Sequence, residues 1–169
     1  MLKQSVDQLA RNAITIEQLV QGMLDEAAEW KQEPSKWSIV EVINHLVDEE
    51  REDFRLRLDL TLRHPEEPWP PIDPEGWVQE RNYAGRSLAD SLGKFGEERR
   101  ASVVWLRSLG DPDLNRSHKH PKMGEITAGT LLGSWVAHDL LHIRQLARLR
   151  YLYFKDLATP HNLDYAGPW

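Results

Sequence analysis

The chain has 169 residues, a length typical of one domain. A hydrophobic fraction of 40% with seven tryptophans excludes a disordered chain, so we expect residues 1–169 to form a single globular domain. The 27 acidic and 21 basic side chains give a net charge of -6, which disfavours nucleic acid as a partner, and no apolar run is long enough to cross a membrane. Cysteine is absent, which excludes disulfides and thiolate ligands, and the first residues, MLKQSVDQLA, show no secretion signal, so a cytoplasmic location is expected.

A first amphipathic helix is predicted over residues 2–29. Apolar side chains recur there at intervals of three and four, from Val6 to Leu24. The segment 33–36 contains Pro34, which restricts its own backbone and that of the residue before it. We therefore expect a turn after the first helix.

The second helix begins with a capping box, Ser38-Ile39-Val40-Glu41. Trp37, just before the cap, and Val42 can form the hydrophobic staple that sets the direction in which the chain enters the helix. The helix should end near Arg63, because His64-Pro65 and four further prolines up to residue 74 exclude regular helix. Residues 64–86 then form a long aromatic connection that can wall a pocket.

Two more helices complete the predicted architecture. Ser87 is a good cap for a third helix that closes at Gly110, and Thr127 is a cap for a fourth helix that continues to about Phe154. A polar loop over residues 113–125 separates them, and the tail after the fourth helix should be irregular. Four long helices, long connections between helices 2 and 3 and between helices 3 and 4, and no alternating strand pattern predict an all-α four-helix bundle.

His138 and His142 are the most informative pair in the sequence. They are four residues apart on the predicted fourth helix, so their imidazoles share one side and lie one turn from each other. Both fall within an apolar stripe about 100° wide; its other members are Leu131, Trp135, Gln145, Leu146 and Leu149. Two neutral imidazoles in an apolar core need partners, and one divalent cation satisfies both, so the pair is a candidate metal site.

Two alternatives remain open at this point. The pair can instead be core histidines bonded to backbone or carboxylate groups. If a metal is bound, a third ligand must come from a neighbouring helix, and His45 on the second helix is the best candidate, since it borders the apolar arc of Ile39, Val42 and Leu46. Its position permits this role without requiring it.

Several other polar residues have competing interpretations. Glu49, one turn after His45, is a candidate catalytic base or fourth ligand, with a surface salt bridge as the alternative. Asp139 points away from His138 and is expected to support a neighbouring group rather than to bind the metal. His118 and His120 lie in the polar loop and are expected to be solvated.

The remaining candidates concern catalysis and charge. Ser134 lies within a helix, without the strained turn that a serine nucleophile requires, which disfavours a Ser-His-Asp triad. Arg144 and Arg148, with Arg150 and Lys155, form a basic patch explained most simply by a nearby helix C-terminus, although recognition of an anionic substrate stays open.

Two motifs resemble the DinB/YfiT-like family: WSIVEVINHL over residues 37–46 and HDLLHIRQL over residues 138–146. The resemblance extends over nearly the whole chain. It implies a four-helix bundle with a three-histidine metal site, one histidine coming from helix two and two from the last helix. His45, His138 and His142 fill those positions here.

The resemblance also implies an activity class, since some members of the family are metal-dependent enzymes that use small thiols. Our first hypothesis is accordingly an enzyme in which one divalent ion, Zn, Ni, Fe or Mn, activates a low-molecular-weight thiol or water, giving an S-transferase or a hydrolase. The alternative is a non-catalytic bundle stabilised by the metal, acting as a dimeric interaction protein or a stress-associated protein. A small-molecule substrate and a homodimer are the expected partners.

Overall fold

The computed structural model describes residues 1–169, and four long helical units dominate it. The helices are α1 (Leu2–Val20), α2 (Asp25–Glu29), α3 (Ile39–Asp48), α4 (Arg55–Arg63), α5 (Pro74–Glu80), α6 (Leu88–Ser108) and α7 (Ala128–Leu157). A π-helical segment, Glu49–Phe54, joins α3 to α4 without a break. Single 3-10 turns occupy Tyr83–Gly85 and Asp164–Ala166, and two strands, β1 (Ser117–His120) and β2 (Gly124–Thr127), precede α7.

The predicted four-helix bundle is confirmed. The bundle has four members: α1, the continuous unit of α3 and α4, then α6, and finally α7. Both α1 and α3 pack against α6 and α7. Two apolar clusters form the core, one around Ile16, Ile43 and Leu146 and the other around Leu9 and Trp135. No helix combines the length and the apolar character that a membrane span requires.

The first helix is shorter than predicted. It ends at Val20, and the chain passes through Gly22 at a φ of +73°, a left-handed conformation that glycine adopts without steric cost. Residues 25–29 of the predicted helix form the separate α2, whose Ala27 and Ala28 are buried. The three-and-four spacing therefore predicted the buried face of α1 correctly. The same spacing continues past Gly22, where the helix itself is interrupted.

The second helix runs from the predicted cap to the predicted end, with one unpredicted feature. Both hydrogen bonds of the capping box are present at Ser38 and Glu41, and the helical unit stops at Arg63. The segment Glu49–Phe54 is π-helical, a rare conformation that occurs mostly as short insertions and frequently at functional sites. It begins one turn after His45.

Both long connections contain regular structure that the sequence analysis excluded. Within 64–86, α5 begins at Pro74, and the Asp73 side chain accepts a hydrogen bond from the amide of Gly76. Proline is compatible with the first helical position because its missing N–H has no partner there anyway. Within 113–125, β1 pairs with β2 as an antiparallel hairpin, with Ser117 opposite Thr127. The hairpin is short and leaves the all-α class unchanged.

The other predicted boundaries agree closely with the structure. Ser87 caps α6 through the amide of Asp90, and Thr127 caps α7 through the amide of Thr130. The fourth long helix, α7, extends to Leu157, three residues beyond its predicted end.

Candidate metal centre

The structure brings His45, His138 and His142 together between α3 and α7. His45 is only 5% exposed, and the two histidines of α7 are half-buried. The i, i+4 spacing on α7 places His142 one turn from His138, and the packing of α3 against α7 adds His45 from the side. The cluster therefore unites two elements that are 93 residues apart in sequence.

The three imidazole rings face one another through the Nε2 atom of each ring. The Nε2 of His138 lies 3.4 Å from the Nε2 of His45 and 3.1 Å from the Nε2 of His142. Four-coordinate zinc holds imidazole nitrogens at about 2.0 to 2.1 Å in tetrahedral directions, which places neighbouring ligand nitrogens about 3.3 Å apart. The two separations from His138 bracket that value, and the ligand atoms of all three residues lie within 4.8 Å of one another, so the residues fit one ion between them.

The environment keeps the three imidazoles neutral. Burial, followed by the proximity of His142 and His138, lowers the pKa of His45 to about 2. Burial, with His142 and Arg99 nearby, lowers the pKa of His138 to about 3, and burial also lowers the pKa of His142. Neutral imidazole has a free lone pair, which is the form that binds metals.

Gln145 determines which nitrogen of His142 carries the hydrogen. The Nδ1 of His142 donates to Oε1 of Gln145 over 2.7 Å, which leaves the lone pair on Nε2, directed at the other two histidines. Such a partner on the far side of a ligating histidine fixes the tautomer and the ring orientation. In contrast, Nδ1 of His45 is buried without any hydrogen-bond partner.

Aromatic rings surround the cluster. The Trp37 ring lies 4.9 Å from that of His45, and the Phe54 ring lies 5.1 Å from that of His138. Trp37 also packs against Trp77 of α5 and Tyr83, so the connection over residues 64–86 forms part of the wall. These rings lower the local polarity and strengthen electrostatic interactions at the centre.

Glu49, one turn after His45 in sequence, is buried rather than exposed in a surface salt bridge. Its side chain begins the π-helical segment, is 4% exposed, and has an Oε1 atom without a hydrogen-bond partner. Burial, followed by repulsion from Asp53, raises the pKa of Glu49 to about 8. The pKa of Asp53 is also raised by burial, although an ion pair with Arg57 over 2.9 Å opposes this. Burial beside Asp53 therefore favours the protonated form of Glu49 at neutral pH.

A buried ionic network centred on Arg99 includes Asp139, the residue next to His138, and it was not predicted from the sequence. Arg99 of α6 donates two hydrogen bonds to Glu50, over 2.7 and 2.8 Å, and two to Asp139, again over 2.7 and 2.8 Å. It also donates to the carbonyl of Leu9, and Trp135 donates to Glu50. One guanidinium thus joins all four long helices of the bundle.

A signal for this network was present in the sequence. Arg99 falls at the i+4 position between Phe95 and Val103 within the apolar stripe of the third helix. A charge at such a position must be paired when it is buried. Asp139, expected to support a neighbouring group, does so by binding Arg99 and by accepting from Asn12.

Two predictions for peripheral residues were wrong. His118 is not solvated: it is 5% exposed, stacks on Trp69 with ring centres 4.4 Å apart, and bonds to the carbonyl of Pro65. The hairpin that the sequence did not reveal carries it inward. Arg144 and Arg148 lie more than two turns before the end of α7, so the helix C-terminus does not explain them.

One other group of candidate ligands exists, His64 with Glu66 and Glu67. All three side chains are exposed. The contact between them is a long one, 3.7 Å from Nδ1 of His64 to Oε1 of Glu67. Exposed acidic groups of this kind are common without a metal. The buried histidine cluster is the better candidate.

Comparisons with known proteins identify the family and the fold of the chain. The family model of the DinB superfamily matches residues 8–146. A protein of Oceanobacillus iheyensis, described as a "putative metal-dependent hydrolase", is 28% identical over 114 residues; the match covers 67% of this chain and 64% of the relative, less than two thirds of its length.

The solved structure of YfiT from Bacillus subtilis superposes with a TM-score of 0.79 at 23% identity and covers 89% of this chain and 86% of YfiT. YfiT is described as "a probable metal-dependent hydrolase with an unusual four-helix bundle topology". At this identity the likeness establishes the shared fold.

Proposed function

The chain belongs to the DinB superfamily, and on that premise we propose that it is a metal-dependent enzyme in which His45, His138 and His142 hold one divalent ion. The reaction proposed is activation of a water molecule or a small thiol, as in a hydrolase or a thiol S-transferase. The relative in Oceanobacillus iheyensis, described as a hydrolase, favours water.

The convergence of three Nε2 atoms is the observation that carries this proposal. Each Nε2 carries either a hydrogen or a lone pair, so at least two of the three converging atoms have the same role and cannot bond to each other. The Nε2 of His138 nevertheless lies within 3.4 Å of both of the other Nε2 atoms. Three protein ligands also leave coordination positions open, as in catalytic rather than structural zinc sites. A bound ion would supply Lewis-acid chemistry by lowering the pKa of a water or thiol in an open position.

The protein's own contribution is orientation and proton handling. Gln145 orients His142, and the rings of Trp37 and Phe54 exclude water from the sides of the cluster. We assign to Glu49 the role of holding a proton at Oε1, the atom without a partner. Because its pKa is raised to about 8, Glu49 can give up or take a proton near neutral pH, as a general acid or base must.

The Arg99 network favours a catalytic over a structural role for the metal. Arg99, Glu50 and Asp139 already join the four helices through hydrogen-bonded ion pairs. A bundle held in this way does not need a metal to bring its helices together, whereas small domains that depend on a structural metal lack such a core.

The proposal is tested first by metal content. Protein purified without a histidine tag and supplied with Zn, Ni, Fe or Mn should retain about one equivalent of one of them. His138→Ala and His142→Ala should each retain less than about a tenth of that amount, since two imidazoles rarely make a stable site. His64→Ala, in the exposed cluster, is the matched control and should bind as the wild type does. Wild-type protein without metal under these conditions would refute the proposal.

Activity is tested on the same samples. The loaded protein is assayed against ester and amide substrates for hydrolysis, and against small thiols with an electrophile for S-transfer. We expect turnover that disappears in His138→Ala and falls at least about 100-fold in Glu49→Gln, which keeps the shape of the side chain but cannot transfer its proton. Metal binding without turnover in either assay would favour the non-catalytic alternative.

A further inference from the structure

A groove runs along α7 beside His142, and the proposed function does not account for its charge. Its volume is about 490 Å³, within the range of small-molecule sites. The lining residues are Leu141, His142, Arg144, Gln145, Arg148 and Trp169. The groove therefore includes one candidate metal ligand and also Gln145, which bonds to that ligand.

The two arginines of the groove have no acidic partner. Arg144 makes no hydrogen bond or ion pair, and Arg148 donates only to the neutral Oε1 of Gln32, over 3.1 Å. Elsewhere in the same chain, Arg81 and Arg99 are paired with carboxylates. No acidic residue lines the groove, although the chain as a whole has a net charge of -6. The positive charge is thus concentrated locally and available to a ligand.

The spacing of the two arginines suits one shared ligand. Positions 144 and 148 are four apart on a helix, so their side chains leave the same face one turn from each other. Guanidinium groups bind carboxylate and phosphate oxygens with two parallel hydrogen bonds. Leu141, which is 53% exposed, and Trp169 provide apolar surface next to these charges.

We propose that this groove binds the anionic group of a small organic substrate, a carboxylate or a phosphate, with Arg144 and Arg148 as its cationic anchors. The inference rests on the proposed function in one respect, since the ligand is a substrate only if His142 holds a metal. The anion then lies along α7 and the apolar part of the molecule contacts Leu141 and Trp169. The reacting group extends past Gln145 toward the histidines.

Binding of simple anions by isothermal titration calorimetry tests the proposal. The probes are succinate and inorganic phosphate, with succinamide as the uncharged analogue of succinate. Each is titrated into metal-loaded protein and into protein treated with a chelator, so that direct binding to the metal is separated from binding to the groove. We expect a Kd in the millimolar range for succinate or phosphate, retained after chelation, and weaker binding at high salt.

Variants identify the residues responsible. Arg144→Gln and Arg148→Gln should each weaken the preferred anion about 10-fold, the effect of losing a hydrogen bond to a charged group, and the double variant should abolish binding. Arg150→Gln is the matched control, because it is on the same helix, bonds to the carbonyl of Leu19 and does not line the groove. It should bind as the wild type does.

The outcomes separate this proposal from the assignment of the metal. Preference for succinate identifies a carboxylate substrate, and preference for phosphate identifies a phosphate ester; either supports the groove if it depends on Arg144 and Arg148. Unchanged affinity in the double variant, equal binding of succinamide, or no saturable binding would overturn it. Metal content is measured on every sample. Protein that takes up metal but does not bind anions refutes the groove alone, and protein that binds anions but takes up no metal when it is supplied refutes the proposed function alone.

Discussion

At the scale of single residues, the three histidines differ in what surrounds them. His142 has a fixed tautomer because its Nδ1 donates to Gln145. In His45, Nδ1 has no hydrogen-bond partner, and the imidazole is kept neutral by burial. His138 lies between them, with its Nε2 close to both of the other Nε2 atoms. The position of His138 makes it the common neighbour of the site, so its removal should disrupt the ligand set most.

Glu49 gives the clearest pH-dependent prediction. Its pKa is raised from 4.5 to about 8 in the folded protein, so between these values the folded state binds one proton more than the unfolded chain. The free energy of unfolding of metal-free protein should therefore fall as the pH rises through this range, by up to about 1.4 kcal/mol per pH unit from this group. Glu49→Gln removes this contribution, and urea denaturation from pH 5 to pH 8 should show the variant losing less stability than the wild type.

The control for this measurement is Glu97→Gln, which removes an exposed carboxylate from α6. Its stability should follow that of the wild type across the same range of pH. Parallel curves for the wild type and Glu49→Gln would contradict a buried, protonated Glu49.

At the scale of elements, the π-helical segment buries two consecutive glutamates that have different partners. Glu49 begins it and Glu50, 1% exposed, follows directly, paired with Arg99 of α6. Both side chains are buried although they are adjacent in sequence. Two consecutive residues of the segment therefore have different roles: Glu50 is the partner of Arg99, and Glu49 is a buried carboxyl group.

Arg99→Met should be among the most destabilising single substitutions in the protein. It leaves Glu50 and Asp139 buried without a counter-charge, and breaking a buried pair in this way costs about 3 to 5 kcal/mol. Urea denaturation measures the change in the free energy of unfolding. Arg100→Met, at the exposed neighbouring position, is the control and should change stability by less than about 0.5 kcal/mol.

A compensating variant sharpens this test. Adding Glu50→Gln and Asp139→Asn to Arg99→Met removes the unpaired charges and should recover a large part of the lost stability. A loss below about 1 kcal/mol for Arg99→Met alone would show that the network is not required by the bundle.

At the scale of the whole molecule, a metal would join two helices that the core already holds together. The α3 and α7 helices share an apolar cluster that contains Ile43 and Leu146, and the Arg99 network adds charged contacts between the same parts of the bundle. We therefore expect the metal-free protein to remain folded at 25 °C. Its stability should nevertheless increase when a ligand binds only the folded state.

Removal of the metal should accordingly lower the melting temperature without unfolding the protein. At a metal concentration about 1,000 times the Kd, binding stabilises the folded state by about 4 kcal/mol, which for a chain of this size corresponds to a melting temperature roughly 10 °C higher. Differential scanning calorimetry before and after chelation measures the shift. His142→Ala should melt at the same temperature with and without chelator, and a chelator-sensitive His142→Ala would place the metal elsewhere.

The sequence by itself determined the features that depend on local physics. Helix caps at Ser38, Ser87 and Thr127 and the three-and-four spacing of apolar residues specified the four long helices, because both signals act within one or two turns. The spacing of His138 and His142 likewise required no more than a helix to place both rings on one side. Glycine at position 22 and the hairpin at 117–127 were missed because their signals are weak against longer patterns.

Only the tertiary structure decided which distant groups meet. His45 joined the histidine pair, Arg99 found Glu50 and Asp139, and His118 moved inward onto Trp69, each across at least 40 residues. The sequence shows that a buried charge or imidazole needs a partner. It named His45 as a candidate only through a permissive position and a family resemblance, and it named no partner for Arg99, because helix packing and not chain distance sets such contacts. The neutral state of His45 follows from the same packing, since burial rather than any neighbour in sequence lowers its pKa.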